Sequence, residues 1–288
     1  MWLLFAFAGP VLWAASTHID KYLVDRYFRN SDTAVLMVFT AFIGVLMLPP
    51  IRYYQPGVFA LRWIDMAVMV ISGILYMGAM LFYLRAIQSE EASVVAPLFQ
   101  SSTLFTFLFA YLLLGGALIL SLDSSLRFRR IKLRLVLLML AATSVLAVSS
   151  VIFKLFAVRD EFWITTFWTY VGEALFGIGI IAVPAYRMQF AALFRKSPGA
   201  VVAINGANEL INLGGGLSVR FASLLAPVAL VSAISSTTTL FVFAFGILLT
   251  MFFPKLGHED LSRRNLAQKG VGAILAATGV ALINLAGR

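Results

Sequence analysis

Asn205, Asn208, Glu209 and Asn212 occur in the stretch INGANELINLGGG, residues 204 to 216. Their spacings of i, i+3, i+4 and i+7 place all four on one face of a single helix. Ile204, Ala207, Leu210 and Ile211 make the other face apolar or small. A carboxylate flanked by amides can bind a cationic solute, exchange a proton, or tie neighbouring helices together. Glu209 falls near the middle of an apolar run, where an ionised carboxylate facing lipid costs several kcal/mol, so it is expected to face a bundle interior or water. Interhelical amide bonds contribute about 1 kcal/mol each. One Asn would serve as such glue, but three beside an acid favour the wall of a polar cavity.

A second stripe repeats the spacing in Thr166, Thr169, Tyr170 and Glu173. Two mid-membrane carboxylates could hold a cation, exchange protons in a transport cycle, or pair with a buried base. Lys154, in SSVIFKLFAV, is the available base, and snorkelling to the interface is its other reading. Trp13, Ser16, Thr17 and Asp20 share a face near the N-terminus, with His18 and Lys21 alongside. His18 could relay a proton near neutral pH or be solvated at a helix end. Tyr76 and Tyr83 lie on one face and either line a path or pack with a bonded hydroxyl. The GGG at 214 to 216 is expected to end its helix and turn toward Arg220. Pro97 and Pro227 fall near helix starts, where a missing N–H is tolerated and ends can flex as hinges.

The elements that carry these residues follow from composition. The chain has 288 residues, 61% of them hydrophobic and 12% charged, about half the charge of an average soluble domain. About nine apolar runs are each long enough to cross a hydrocarbon core of roughly 30 Å as a helix. They are expected near 2–20, 33–50, 64–85, 93–114, 135–157, 162–183, 200–218, 228–252 and 267–286. The first run, MWLLFAFAGPVLWAAS, lacks a basic leader and is taken as a transmembrane helix rather than a signal peptide. Trp63, Trp163 and Trp168 fall at expected span ends, as interfacial aromatics do. The formal charge of +9 comes from bases scattered over short loops, which points to cytoplasmic loop retention and away from nucleic acid. There is no cysteine, which excludes disulfides, thiolate catalysis and Cys-based metal sites.

The halves repeat. WAASTHIDKYLV aligns with LAVSSVIFKLFAV, superposing Lys21 on Lys154, and the same offset places Gly44 on Gly177 and Gly73 on Gly206. Further on, ASVVAPL at 92–98 matches ASLLAPV at 222–228, and STLFTFLF matches TTLFVFAF at 238–245. Such internal repeats mark many secondary transporters, with the substrate between the halves. Under that offset Tyr76 corresponds to Glu209, so the acid belongs to the second half alone.

The segment ASVVAPLFQSSTLFTFLFAYLLLGG resembles the fourth-helix pattern of EamA-type members of the drug/metabolite transporter superfamily. FGILLTMFFPKLGHEDLSRRNLAQKG is similar to the end of that family's ninth helix and its run into the tenth. The resemblance implies an all-α integral membrane protein in which two inverted five-helix repeats carry small metabolites. Here the acidic residue and polar turn expected after YLLLG are missing, and GALILSLD follows directly. The fifth helix is therefore expected to be truncated, leaving about nine full spans. The units are an N-terminal repeat at 1–123, a basic linker at 124–134 and a C-terminal repeat at 135–288.

With nine alternating spans, the loops near 52–62, 127–134, 187–196 and 255–269 would share the cytoplasmic face and hold most of the 22 Lys and Arg. A four-plus-five arrangement would set the halves parallel. No Walker loop, HExxH, nucleophile elbow or dinucleotide fingerprint occurs, so no enzyme, cofactor or metal centre is expected, and transport would draw on a gradient. The expected function is a secondary carrier, an exporter by family resemblance, for a small polar or cationic metabolite in a bacterial inner membrane. One version is proton-coupled through Glu209 and Glu173. Asn205, Asn208 and Asn212 would orient the solute, with Thr169 on the same face as Tyr170 and Glu173, while Tyr170 and Trp13 would supply an apolar or cation-π wall. Translocation of a lipid-linked substrate and a non-transporting scaffold are the alternatives. The partners are the bilayer and a small solute, with the chain a monomer or homodimer.

Overall fold

The computed structural model describes residues 2–28, 31–99, 133–159, 161–196, 198–253, 262 and 270. The expected spans near 93–114 and 267–286, the GALILSLD stretch where the fifth helix is expected to be truncated, and the basic linker lie wholly or largely outside these residues. The described elements are helices: α1 (Trp2–Arg26), α2 (Ala34–Tyr54), α3 (Trp63–Ser89), α4 (Ala92–Phe99), α5 (Leu133–Arg159), α6 (Phe162–Ala182), α7 (Pro184–Lys196), α8 (Pro198–Leu225), α9 (Val228–Ser235) and α10 (Thr238–Phe252). A short 3-10 turn, Pro56–Phe59, links α2 to α3. Among the described residues, six segments are long and apolar enough to cross a bilayer: α1, α2, α3, residues 134–159 of α5, α6, and Ala233–Phe252. The molecule is a multi-pass, all-α membrane protein.

Its polarity is inside out relative to a soluble globule. Leu4, Phe42, Ile178, Leu210 and Met251 point outward, while Ser72, Thr143, Thr165, Thr166, Glu173, Asn205, Asn208 and Glu209 are buried. In lipid, polar side chains find partners by turning toward other helices, and small residues let those helices approach. Both devices appear at the α3 contacts. Ser72 Oγ donates to the Ser149 carbonyl at 3.0 Å, and Ser149 Oγ returns a bond to the Ser72 carbonyl at 2.9 Å. On the same stretch of α3, Gly73 lies against the Thr169 carbonyl and Gly172 against the Val70 carbonyl, so a Cβ at either would strike backbone.

The closest packing runs between the two parts of the chain: α1 on α8, α2 on α6, and α3 on both α5 and α6. The α1–α8, α2–α6 and α3–α5 pairs are antiparallel, whereas α3 and α6 both start at the same end of the bundle. Gly9 meets Gly215 and Val219 while Asp20 meets Asn208; Ser72 meets Ser149 while Asp65 meets Arg159. α1 and α3 run side by side in the same direction, joined by Tyr83 to Thr17 at 3.1 Å and Lys21 to Ile87. α1 and α5 therefore run in opposite directions.

That geometry revises the expected loop arrangement. The end of α5 sits beside the start of α3, where Asp65 is held by Arg62 at 2.9 Å and Arg159 at 3.0 Å. Trp168 there donates to the Val58 carbonyl at 2.7 Å. The 187–196 segment lies at the other end, where Gln189 accepts from the Asp32 amide at 2.9 Å. The loops near 52–62 and 187–196 thus occupy opposite faces. The latter is itself helical: in α7, Tyr186, Phe190 and Leu193 pack inward while Arg187, Met188 and Arg195 face out. The apolar run at 228–252 divides into α9 and α10 at Ser236–Thr237.

Candidate functional site

α8 runs unbroken through Gly214, Gly215 and Gly216, against the expected helix end there. These glycines serve close packing instead of a turn. Gly215 faces the Trp13 ring and Gly9, where a Cβ would meet the indole at 2.9 Å. The continuation places Arg220, which the sequence reading treated only as a marker beyond the helix, inside the bundle with its side chain 18% exposed.

A cavity of about 210 Å³ opens at the centre. α1 contributes Trp13, Ser16, Thr17 and Asp20, and α3 contributes Tyr76, Met80 and Tyr83. α5 supplies Ser149, Ser150, Phe153 and Lys154, α6 supplies Thr169, and α8 supplies Asn212, Arg220 and Ser223. Ser235 and Thr238, at the α9–α10 junction, complete the polar lining. Its volume is below the roughly 300–1,000 Å³ of drug-sized sites, which suits a small solute. Its walls come from both parts of the chain.

Of the expected site residues, Trp13, Tyr76, Lys154, Thr169 and Asn212 reach this cavity. Glu209, Asn208, Glu173 and Tyr170 stand behind its wall, each tied to a residue that does line it or to a neighbouring helix. Glu209 accepts a bond from Thr40 of α2 at 2.5 Å, and Asn212, one turn along α8, lies beside its carboxylate. Asn208 donates to Asp20 at 2.7 Å. Glu173 pairs with Arg220 at 3.5 Å, and Gly44 of α2 leaves room beside its carboxylate. The Arg220 guanidinium also lies 4.8 Å from the Phe153 ring centre, 5.6 Å from Tyr170 and 5.8 Å from Tyr76, within cation-π range.

Three residues depart from their expected places. Asn205 is fully buried with neither amide atom bonded, and it is not part of the cavity lining. His18 is buried rather than solvated, its Nε2 donating to the Val242 carbonyl of α10 at 2.8 Å. Lys154 neither snorkels nor pairs with an acid among the described residues; its ammonium donates to the Ser223 carbonyl. Tyr83, with its hydroxyl on Thr17, is both a packing residue and part of the lining.

The sequence reading did not select Asp20, Arg220, or the Ser149 and Ser150 pair. Asp20 was on the face identified in α1, and its charge was the available signal. Arg220 was hidden by the assumed helix end. The resulting site holds three acids, Asp20, Glu173 and Glu209, that interact electrostatically, with Arg220 and Lys154 on the opposing side of the charge balance.

No curated protein matches the sequence. The model of the EamA-like transporter family matches residues 1–121. An apolar exterior, membrane-length helices and a central cavity lined by polar side chains are what a solute carrier requires, and over residues 1–121 the chain is similar to the EamA-like transporter family.

Proposed function

We propose that the chain is a secondary carrier, acting in a bacterial inner membrane, that moves a small polar metabolite by alternating access, outward as its family resemblance suggests. The observation that carries this reading is the central cavity, which brings charged and hydroxyl side chains together among apolar ones and is walled by helices from residues 2–99 and 133–252, inside a protein whose outer surface is apolar. The two parts act as repeats. Their helices pack on each other in exchanged order, and α1 and α5, the first helix of each part, run oppositely. Inverted repeats of this kind change access by rocking one bundle against the other around a fixed site.

Glu209 couples the cycle to protons. It sits between Thr40 on α2 and Asn212 in the cavity wall, so gain or loss of a proton there alters a bond that joins two helices. Glu173 acts on the same α8 wall, two turns further along, through Arg220. The test is uptake of candidate metabolites into proteoliposomes with an imposed pH gradient. Gradient-driven flux by the native chain and gradient-independent flux by Glu209→Gln are expected. Unchanged gradient-driven flux in that variant would sink the proton-coupled mechanism, and absence of any solute flux would sink the carrier.

A further inference from the structure

Resting on the carrier reading, we propose that the cavity contains a subsite for the anionic group, of carboxylate type, of a small soluble substrate, held by Lys154, Arg220 and Ser235. All three line the same cavity, and each has hydrogen-bonding capacity left over. The Lys154 ammonium has three N–H donors and gives one to the Ser223 carbonyl. Arg220 offers its pair with Glu173, yet its buried Nη1 has no partner. Ser235 Oγ is likewise buried and unpartnered.

Comparison of the two lysines sharpens the assignment. Lys21 also bonds a carbonyl, that of Ile87, but its charge is answered by Asp25 at 3.1 Å. The equivalent position one turn beyond Lys154 is Val158, and no described acid lies within ion-pair distance of Lys154. A cation held among transmembrane helices without a protein counter-ion is costly. A substrate anion relieves that cost. Unpaired buried donors are costly, so filling several at once gives selectivity against solutes that lack the acceptor.

The acids near the cavity each have a partner, Asp20 in Asn208, Glu209 in Thr40 and Glu173 in Arg220. Among the described residues only Glu173 of these is answered by a cation, so a cationic probe is the control for binding on the acidic side.

The experiment uses the full chain in phosphatidylcholine nanodiscs, with lactate, acetate and choline as probes and the rise in melting temperature as the binding readout. Lactate or acetate is expected to protect and choline not. Lys154→Met should weaken protection about tenfold or more, while Lys154→Arg retains it. Ser235→Ala should weaken it without lowering ligand-free stability, because the deleted hydroxyl makes no bond. Each variant is compared with its own ligand-free state, so a change in baseline stability does not obscure the result. Choline protection exceeding that of the anions, no protection by either anion, or undiminished anion affinity in Lys154→Met would overturn the subsite. Loss of lactate protection in discs containing phosphatidylglycerol would overturn it as a solute site by assigning the anion to a lipid headgroup. Lactate binding without transmembrane flux would count against the carrier alone, and solute flux with Lys154-independent anion affinity against the subsite alone.

Discussion

Lys21 and Lys154 make the same kind of bond at opposite ends of the bundle. Lys21 on α1 donates to the Ile87 carbonyl near the end of α3, and Lys154 on α5 donates to the Ser223 carbonyl near the end of α8. Each lysine stands equally far from the last residue of its own helix, and each carbonyl equally far from the last residue of its helix. Charged donors suit these positions because terminal carbonyls lack helical partners and carry the negative end of the helix dipole. Lys21→Met should lower stability to unfolding in mixed micelles by about 1 kcal/mol, measured against the native chain. A neutral result would show that the bond contributes nothing to holding α1 on α3.

Gly73 and Gly206 should respond oppositely to the same substitution. A Cβ on Gly73 meets the Thr169 carbonyl, which cannot rotate aside, so Gly73→Ala is expected to destabilise by about 1–3 kcal/mol. Nothing lies within 4 Å of the Cβ position at Gly206, and Gly206→Ala should be neutral or stabilising by up to about 1 kcal/mol. Unfolding midpoints of the two variants decide it; equal effects would place the α3–α6 crossing wrongly.

The Glu173–Arg220 pair should behave as one unit. Removing one member of a buried pair leaves the other uncompensated, at about 3 kcal/mol or more. Glu173→Gln and Arg220→Gln are each expected to destabilise, and the double substitution to cost clearly less than their sum. Additive losses in a double-mutant cycle would show that the two charges are independent.

The absence of cysteine makes the cavity directly accessible to labelling. Ser150→Cys and Asn212→Cys, in the lining, should react with a hydrophilic thiol reagent, and solute should slow them. Leu210→Cys, on the outward face at 61% exposure, should remain unreactive in proteoliposomes because it meets lipid. Mass spectrometry of the labelled chain reads both.

Where the sequence was legible, periodicity made it so. The four polar residues of α8 turn inward because their spacing puts them on one face, and lipid leaves that face no alternative; Thr166, Thr169, Tyr170 and Glu173 follow the same rule. The triple glycine was misread because glycine has two uses. Local sequence suggests a helix end, whereas the close approach of α1 to α8 at Gly9 and Gly215 exists only in tertiary packing. Placing Arg220 depended on that choice. Loop positions were obscured for a similar reason: counting alternating spans assumes every crossing is visible in sequence, while Arg159 on Asp65 and Gln189 on Asp32 report the ends directly. The bond from the Asn208 amide to the Asp20 carboxylate joins residues 188 apart, beyond the reach of any local pattern.

α8 has a consequence for biogenesis. It is absent from the helices that are apolar enough to cross a bilayer unaided, since Glu209, its neighbouring amides and Arg220 each disfavour release into lipid. Its buried face is instead matched by α1, through Gly9, Trp13 and Asp20. A helix made early therefore provides the docking surface for one that follows it in the chain by many spans. Insertion of α8 is an act of tertiary assembly, so a defect at Gly9 or Asp20 would surface as failed integration of a segment about two hundred residues downstream.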